Sequence, residues 1–186
     1  MPAQGLKPEV LTARRLGSSD IERVRLWRNS RHVRMQMASN NIISESEQRE
    51  WFAEIRGTPN EYFVYSYFGE DVGLLSMKPG VQDGSFEPGI YCGEKKFLDH
   101  QVNFFAAVWL YDYAFLRCQM ENAFARVLGT NLPALRLNKF LGFEESAQQT
   151  GNFVTLNLSK ERYVTQRERF RRFTPRWTPP IEPHDQ

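Results

Sequence analysis

Residues 131–143 read Asn131-Leu132-Pro133-Ala134-Leu135-Arg136-Leu137-Asn138-Lys139-Phe140-Leu141-Gly142-Phe143. Asn131 can cap a helix, and Pro133 stands inside the first turn, where its missing N–H is no loss. Leu137 and Leu141 then mark the apolar side of a helix over Leu132–Leu141, and Phe143 begins the return to the core. β-rich segments flank this helix, Asn122–Leu128 before it and Phe153–Leu158 after it. Further upstream, Gln101–Leu116 is long and mostly apolar, which predicts a buried helix.

Working outward, the period of the pattern changes. Tyr62–Phe68 and Val72–Met77 are β-rich runs joined by Gly69-Glu70-Asp71, which predicts an antiparallel hairpin. Phe86–Cys92 is a further strand. Val10–Arg14 predicts the first strand, with Asp20 capping a helix whose apolar stripe is Ile21, Val24 and Trp27. Ser44-Glu45-Ser46-Glu47 has the form of a capping box and opens a second helix through Trp51, Phe52 and Ile55. Lys160–Phe173 is a last helix, before Pro175, Pro179 and Pro180 end regular structure. Strand, two helices, a run of strands, then alternating helices and strands require both parallel and antiparallel neighbours. The expectation is an α/β (α+β) domain over residues 1–173, a mixed central sheet with helices on both faces. Residues 174–186 are expected to be a flexible Pro-rich tail.

Composition narrows the classes. The 186 residues are 41% hydrophobic and include 25 aromatic side chains, enough for a sizeable core. No apolar run is long enough to span a membrane, and Met1–Gly5 begins no secretory signal, so a cytoplasmic protein is expected. Net charge is +2, unevenly placed: Ser159–Gln186 holds seven Lys/Arg against four Asp/Glu. Glu161 and Glu168 interleave with those cations, which argues against a nucleic-acid surface. Cys92 and Cys118 make neither a disulfide framework nor a metal site with His32, His100 or His184, and are read as buried thiols.

The 131–143 stretch resembles the last signature of the GNAT acyltransferases, N-x-x-A-x-x-L-Y-x-K-x-G-F. The matching positions are Asn131, Ala134, Leu137, the apolar filler Leu141, Gly142 and Phe143. Arg25-Leu26-Trp27-Arg28-Asn29, followed by Val33-Arg34 and Met37, is similar to one branch of that superfamily. The branch holds ribosomal-protein acetyltransferases and nucleotide-amino-sugar N-acetyltransferases. The sugar enzymes of the pseudaminic acid pathway are similar also at Trp51-Phe52 and Tyr62-Phe63-Val64. The resemblance spans roughly residues 10–172. It implies a GNAT fold and transfer of acetyl from acetyl-CoA to the amine of a nucleotide-linked amino sugar. It needs no metal and admits a homodimer.

The resemblance also implies the site. Ile90, Tyr91 and Cys92 on the fourth strand would face the coenzyme, with Asn131 and Asn138 on the signature helix. Strand alternation puts Glu87 and Tyr91 on one side and Phe86, Ile90 and Cys92 on the other. Tyr91, Glu87 and Asn138 are the candidate catalytic residues. Asn138 stands where the family has a tyrosine that protonates the leaving thiolate, and an amide cannot do so. The family's glycine-rich pyrophosphate loop is replaced by Leu98-Asp99-His100-Gln101-Val102-Asn103. Asn103, Lys95 and Lys96 are the candidates to serve there instead. Trp27, Arg28 and Asn29 are expected to hold the acceptor by stacking, by pairing with a diphosphate and by bonding a hydroxyl. The alternatives are a ribosomal-protein or other N-terminal acetyltransferase, and a non-catalytic acyl-CoA-binding module.

Overall fold

The computed structural model describes residues 10–146 and 151–174. The stretches expected to form the N-terminal end and most of the Pro-rich tail, 1–9 and 175–186, lie outside the described residues. Seven strands form one mixed sheet in the order β1-β2-β3-β4-β5-β7-β6. They are β1 (Leu11–Arg15), β2 (Glu61–Tyr67), β3 (Glu70–Pro79), β4 (Ser85–Cys92), β5 (Asn122–Leu128), β6 (Glu144–Glu145) and β7 (Phe153–Ser159). Every neighbouring pair is antiparallel except β4 with β5.

The helices are α1 (Ile21–Asn29), α2 (Arg31–Arg34), α3 (Glu45–Ile55), α4 (Val102–Tyr111), α5 (Leu132–Leu141) and α6 (Lys160–Phe170). Two apolar clusters show which face each one covers. Val24 and Trp27 of α1, with Trp51 of α3, pack on Val64 and Leu74. On the opposite face, α4 and α6 join Phe63, Leu75, Phe86, Ala123 and Leu158, with Leu141 of α5. The α4 side chains from Phe105 to Tyr111 are all buried, as their unbroken apolar run requires.

Local chemistry explains most boundaries. Ser44 and Glu47 form the expected reciprocal cap: the Ser44 N–H donates to Glu47 Oε2 at 2.7 Å, and the Glu47 N–H donates to Ser44 Oγ at 3.3 Å. Asn131 Oδ1 accepts from the Ala134 N–H at 3.2 Å and opens α5, which closes at Gly142 with φ +104°. Asp20 departs from expectation. It does not cap α1, because its carboxylate takes both Arg14 guanidinium nitrogens at 2.6 and 2.8 Å and the Gly17 N–H at 2.9 Å. The buried helix has the expected length but not one geometry throughout. It starts at Val102, and its last turn, Asp112–Arg117, widens to π geometry. There Asp112 accepts hydrogen bonds from Tyr163 and Arg167.

Candidate active site

The one parallel pairing is incomplete. β4 meets β5 only at Ser85–Asn122 and Phe86–Ala123, below which the Gly84 carbonyl accepts from the N–H groups of Glu121 and Asn122. Beyond these pairs β4 stays with β3, and β5 stays with β7. The two strands therefore part. Gly93 donates to the Val72 carbonyl at 2.8 Å, and Gly80 donates to Ser85 at 2.8 Å. Antiparallel bonding alternates along a strand, so the odd-numbered residues 85–93 turn their backbone groups to β3. Phe86, Pro88, Ile90 and Cys92 turn theirs to the β5 side. Pro88 has no donor to offer there. The N–H groups of Ile90 and Cys92 do, and both are directed into the parting.

Side chains alternate about the same strand. Ile90 and Cys92 pack on the α4 face, whereas Tyr91 packs beside Trp27, Val64 and Leu74 on the α1 face. The Tyr91 hydroxyl is buried and makes no hydrogen bond among the described residues. Burial pushes this phenol far above its usual range, against the opposing field of Arg28. Tyr91 therefore keeps its proton at neutral pH and acts only as a neutral donor or acceptor. Arg28 donates through Nη2 to the Ser39 carbonyl at 3.1 Å, while its Nη1 is buried without a partner. Burial lowers the pKa of this guanidinium. Glu87 lies on the Tyr91 side of β4 and reaches Arg126 of β5 at 3.6 Å, an exposed ion pair that bridges the two parted strands.

The other residues expected to hold the acceptor have different surroundings. Trp27 is 5% exposed and lies flat on Gly93, where any Cβ would fall 2.2 Å from the indole ring. Its N–H donates to Glu94 Oε1 at 2.8 Å. Trp27 therefore forms the wall behind Tyr91. Asn29 places both ends of its amide on the Ile43 backbone, each at 2.8 Å, and so fastens the segment 35–43 to α1.

The segment between β4 and α4 is held by its own side chains. The Asn103 amide donates to the carbonyls of Phe97 and Leu98 at 2.6 and 3.0 Å, and its oxygen accepts from the Tyr65 hydroxyl at 2.8 Å. His100 Nδ1 accepts the Val102 N–H at 3.1 Å. Lys96 is paired with Glu70, and Lys95 is exposed. On α5, Asn138 donates to the Ala134 carbonyl at 2.9 Å and keeps one N–H. These residues fit an acyl-CoA in one half only. The parting, with the Ile90 and Cys92 N–H groups, suits an amide-rich arm ending in a thioester. The glycine-free turn from Glu94 to Gln101 offers no nest of backbone donors for a pyrophosphate. Among the described residues no cluster of ligating side chains suits a metal ion.

Glu94, Tyr65 and Arg126, which the sequence did not mark, make contacts distant in sequence that no local motif signals, and Arg34, also unmarked as a site residue, reaches the Asn40 carbonyl six residues on. Glu94 was the most accessible of them, since it follows a glycine that can receive an aromatic ring.

No family model matches the chain, and no curated relative is found. Solved structures do match. A spermidine N-acetyltransferase from Vibrio cholerae, in complex with CoA and spermine, superposes with a TM-score of 0.74 at 17% identity, covering 83% of this chain and 98% of that one. An aminoglycoside acetyltransferase in complex with coenzyme A gives 0.73 at 15% identity, over 87% and 99%. An uncharacterized protein from Bacillus halodurans gives 0.77 at 10% identity, over 88% and 91%. With its mixed seven-stranded sheet, helices on both faces and β4 parted from β5, the chain has the fold of the GNAT acetyltransferases.

Proposed function

We propose that this protein transfers an acyl group from acyl-CoA to the amine of a nucleotide-linked amino sugar. The parting of β4 and β5, with the Ile90 and Cys92 N–H groups turned into it, carries the reading. Two similar solved structures hold CoA or coenzyme A. When bound, acyl-CoA supplies an acyl group activated as a thioester. The Cys92 and Ile90 N–H groups are fixed donors for a carbonyl oxygen that gains negative charge, and a donor set in advance costs no reorganisation. Water is the proton source for the departing thiolate, because the Tyr91 phenol lies on the α1 face of β4 and holds its proton. Asn138 can add a hydrogen bond through its remaining N–H but no proton. Glu87 is the carboxylate on the acceptor side of β4, and it can take the proton that the attacking amine releases. Asn131 and Lys95 are the remaining candidates along the coenzyme.

The acceptor side favours an anionic group. A polyamine, the substrate named for one similar structure, brings positive charge to a surface where Arg28 already holds an uncompensated one. A peptide amine calls for an acidic groove, yet the α1–α2 stretch presents Arg28, Arg31, His32 and Arg34. The test is turnover of acetyl-CoA against nucleotide-linked amino sugars, basic peptides and spermidine. Arg28→Ala should raise KM for the sugar by roughly 10- to 100-fold, the worth of a charged hydrogen bond, and leave acetyl-CoA binding unchanged. Turnover of peptides or spermidine alone, unaffected by the substitution, refutes the sugar assignment.

A further inference from the structure

Among the described residues, the other half-buried arginines have carboxylate partners: Arg15 takes Glu61, Arg25 takes Glu22 and Arg167 takes Asp112. Arg28 and Arg34 are different. Both are half-buried, and no ion pair reaches either among the described residues. Each instead donates to a backbone carbonyl of the segment 35–43: Arg28 to Ser39 at 3.1 Å, Arg34 to Asn40 at 2.8 Å. Those carbonyls belong to consecutive residues, so the two guanidiniums bracket a single short piece of chain. Three side-chain donors, Arg28 Nη1, Arg34 Nε and the Tyr91 hydroxyl, are buried without a partner among the described residues, and Arg28 acts electrostatically on Tyr91.

A carbonyl dipole does not neutralise a guanidinium, and burying a charge without its counter-charge is unfavourable. Two such charges, held to the carbonyls of consecutive residues, repel each other as well. Both penalties are relieved together by a compact oxyanion of multiple charge, whose oxygens match the planar donor forks. A carboxylate brings one charge and two oxygens, too few for both forks and the phenol. A phosphate has the charge and the oxygens for all three.

We propose that Arg28, Arg34 and the Tyr91 hydroxyl form a receptor for a phosphate group on the acceptor, with Arg34 as its second prong. This rests on the proposed acyltransferase reading for its role, although the anion site itself does not. With the phosphate bound here, the acceptor lies along the α1 face of β4, and its amine is directed toward the parting. The Ser39 and Asn40 carbonyls then hold the two forks in place before the substrate arrives.

The test is a titration of inorganic pyrophosphate into the full-length protein, alone and with excess acetyl-CoA. Coenzyme A itself carries a pyrophosphate, and the second arm separates the two sites. Saturable binding that persists beside acetyl-CoA is expected. Arg28→Gln and Arg34→Gln should each weaken it roughly 10- to 100-fold, with partial recovery in Arg34→Lys and no change in acetyl-CoA affinity. Binding abolished by acetyl-CoA, or indifferent to Arg34→Gln, overturns the proposal. In the wild type, pyrophosphate should slow amide exchange across residues 39–43, and unchanged exchange there overturns it without recourse to a variant. Should acetyl-CoA itself fail to bind, the acyltransferase reading falls, while the pyrophosphate titration still decides the anion site.

Discussion

Gly93→Ala offers a direct test of how α1 is seated on β4. A Cβ at position 93 would lie 2.2 Å from both Cγ and Cδ2 of Trp27, and 2.6 Å from Cδ1. Carbon atoms in contact prefer about 3.5–4.0 Å, so the indole must withdraw by more than about 1 Å. It has little freedom to do so. Trp27 is 5% exposed, and Glu94 holds its N–H at 2.8 Å. Overpacking of this kind costs about 1–3 kcal/mol. At roughly 2–4 °C per kcal/mol for a domain of this size, Tm should fall by about 2–12 °C in differential scanning calorimetry. Trp27→Leu removes the opposing ring at its own cavity cost. The double variant should therefore be more stable than the sum of the two single losses by roughly 0.5–3 kcal/mol. Because Arg28 and Tyr91 sit on the same seam, acceptor KM should rise in Gly93→Ala while acetyl-CoA affinity holds. A Tm unchanged within about 1 °C, or strict additivity in the double variant, would refute this packing.

Asn131→Ala should cost about 1 kcal/mol through the lost α5 cap, read by urea unfolding, and should also weaken acetyl-CoA in calorimetry. Lys96→Ala should leave acetyl-CoA affinity unchanged because Glu70 already holds that ammonium, whereas Lys95→Ala should weaken it and flatten its salt dependence. Asp20 is held below its usual range chiefly by its hydrogen bonds to Arg14. The stability it adds is present above the unfolded pKa, near about 3.9, and is lost as pH falls through the lower folded value. Asp20→Asn should therefore destabilise by a constant amount between about pH 5 and 8, with the gap to the wild type closing below about pH 4.

How much was legible depended on the range of the interaction. The Ser44–Glu47 box, the Asn131 cap and the hairpin through Gly69 are encoded within a few residues, and the structure shows each of them. The alternation of Tyr91 against Ile90 and Cys92 follows from strand geometry alone. Asp20 was misread because its competing partner, Arg14, lies on the preceding strand, and a bidentate guanidinium outcompetes a helix N–H. The π turn at Asp112 depends on Tyr163 and Arg167, some fifty residues further on. At the candidate site, Trp27, Arg28 and Asn29 were read as one unit because they adjoin in the sequence. Helical geometry separates them: Trp27 faces Gly93, Asn29 faces Ile43, and Arg28 is left beside Tyr91. Arg34 stands in the Val33-Arg34 stretch that carries the resemblance, but nothing local marks it as a half-buried cation with no acid partner among the described residues.

The most direct test of the central claim is titration of acetyl-CoA into the full-length protein, with amide exchange followed at Ile90 and Cys92. Neither N–H is engaged by a neighbouring strand, so both should exchange quickly in the free protein. Saturable binding of one acetyl-CoA per chain and slowed exchange at these two amides are expected. No binding at millimolar acetyl-CoA, or binding that leaves Ile90 and Cys92 exchanging at their free rates, would contradict that claim.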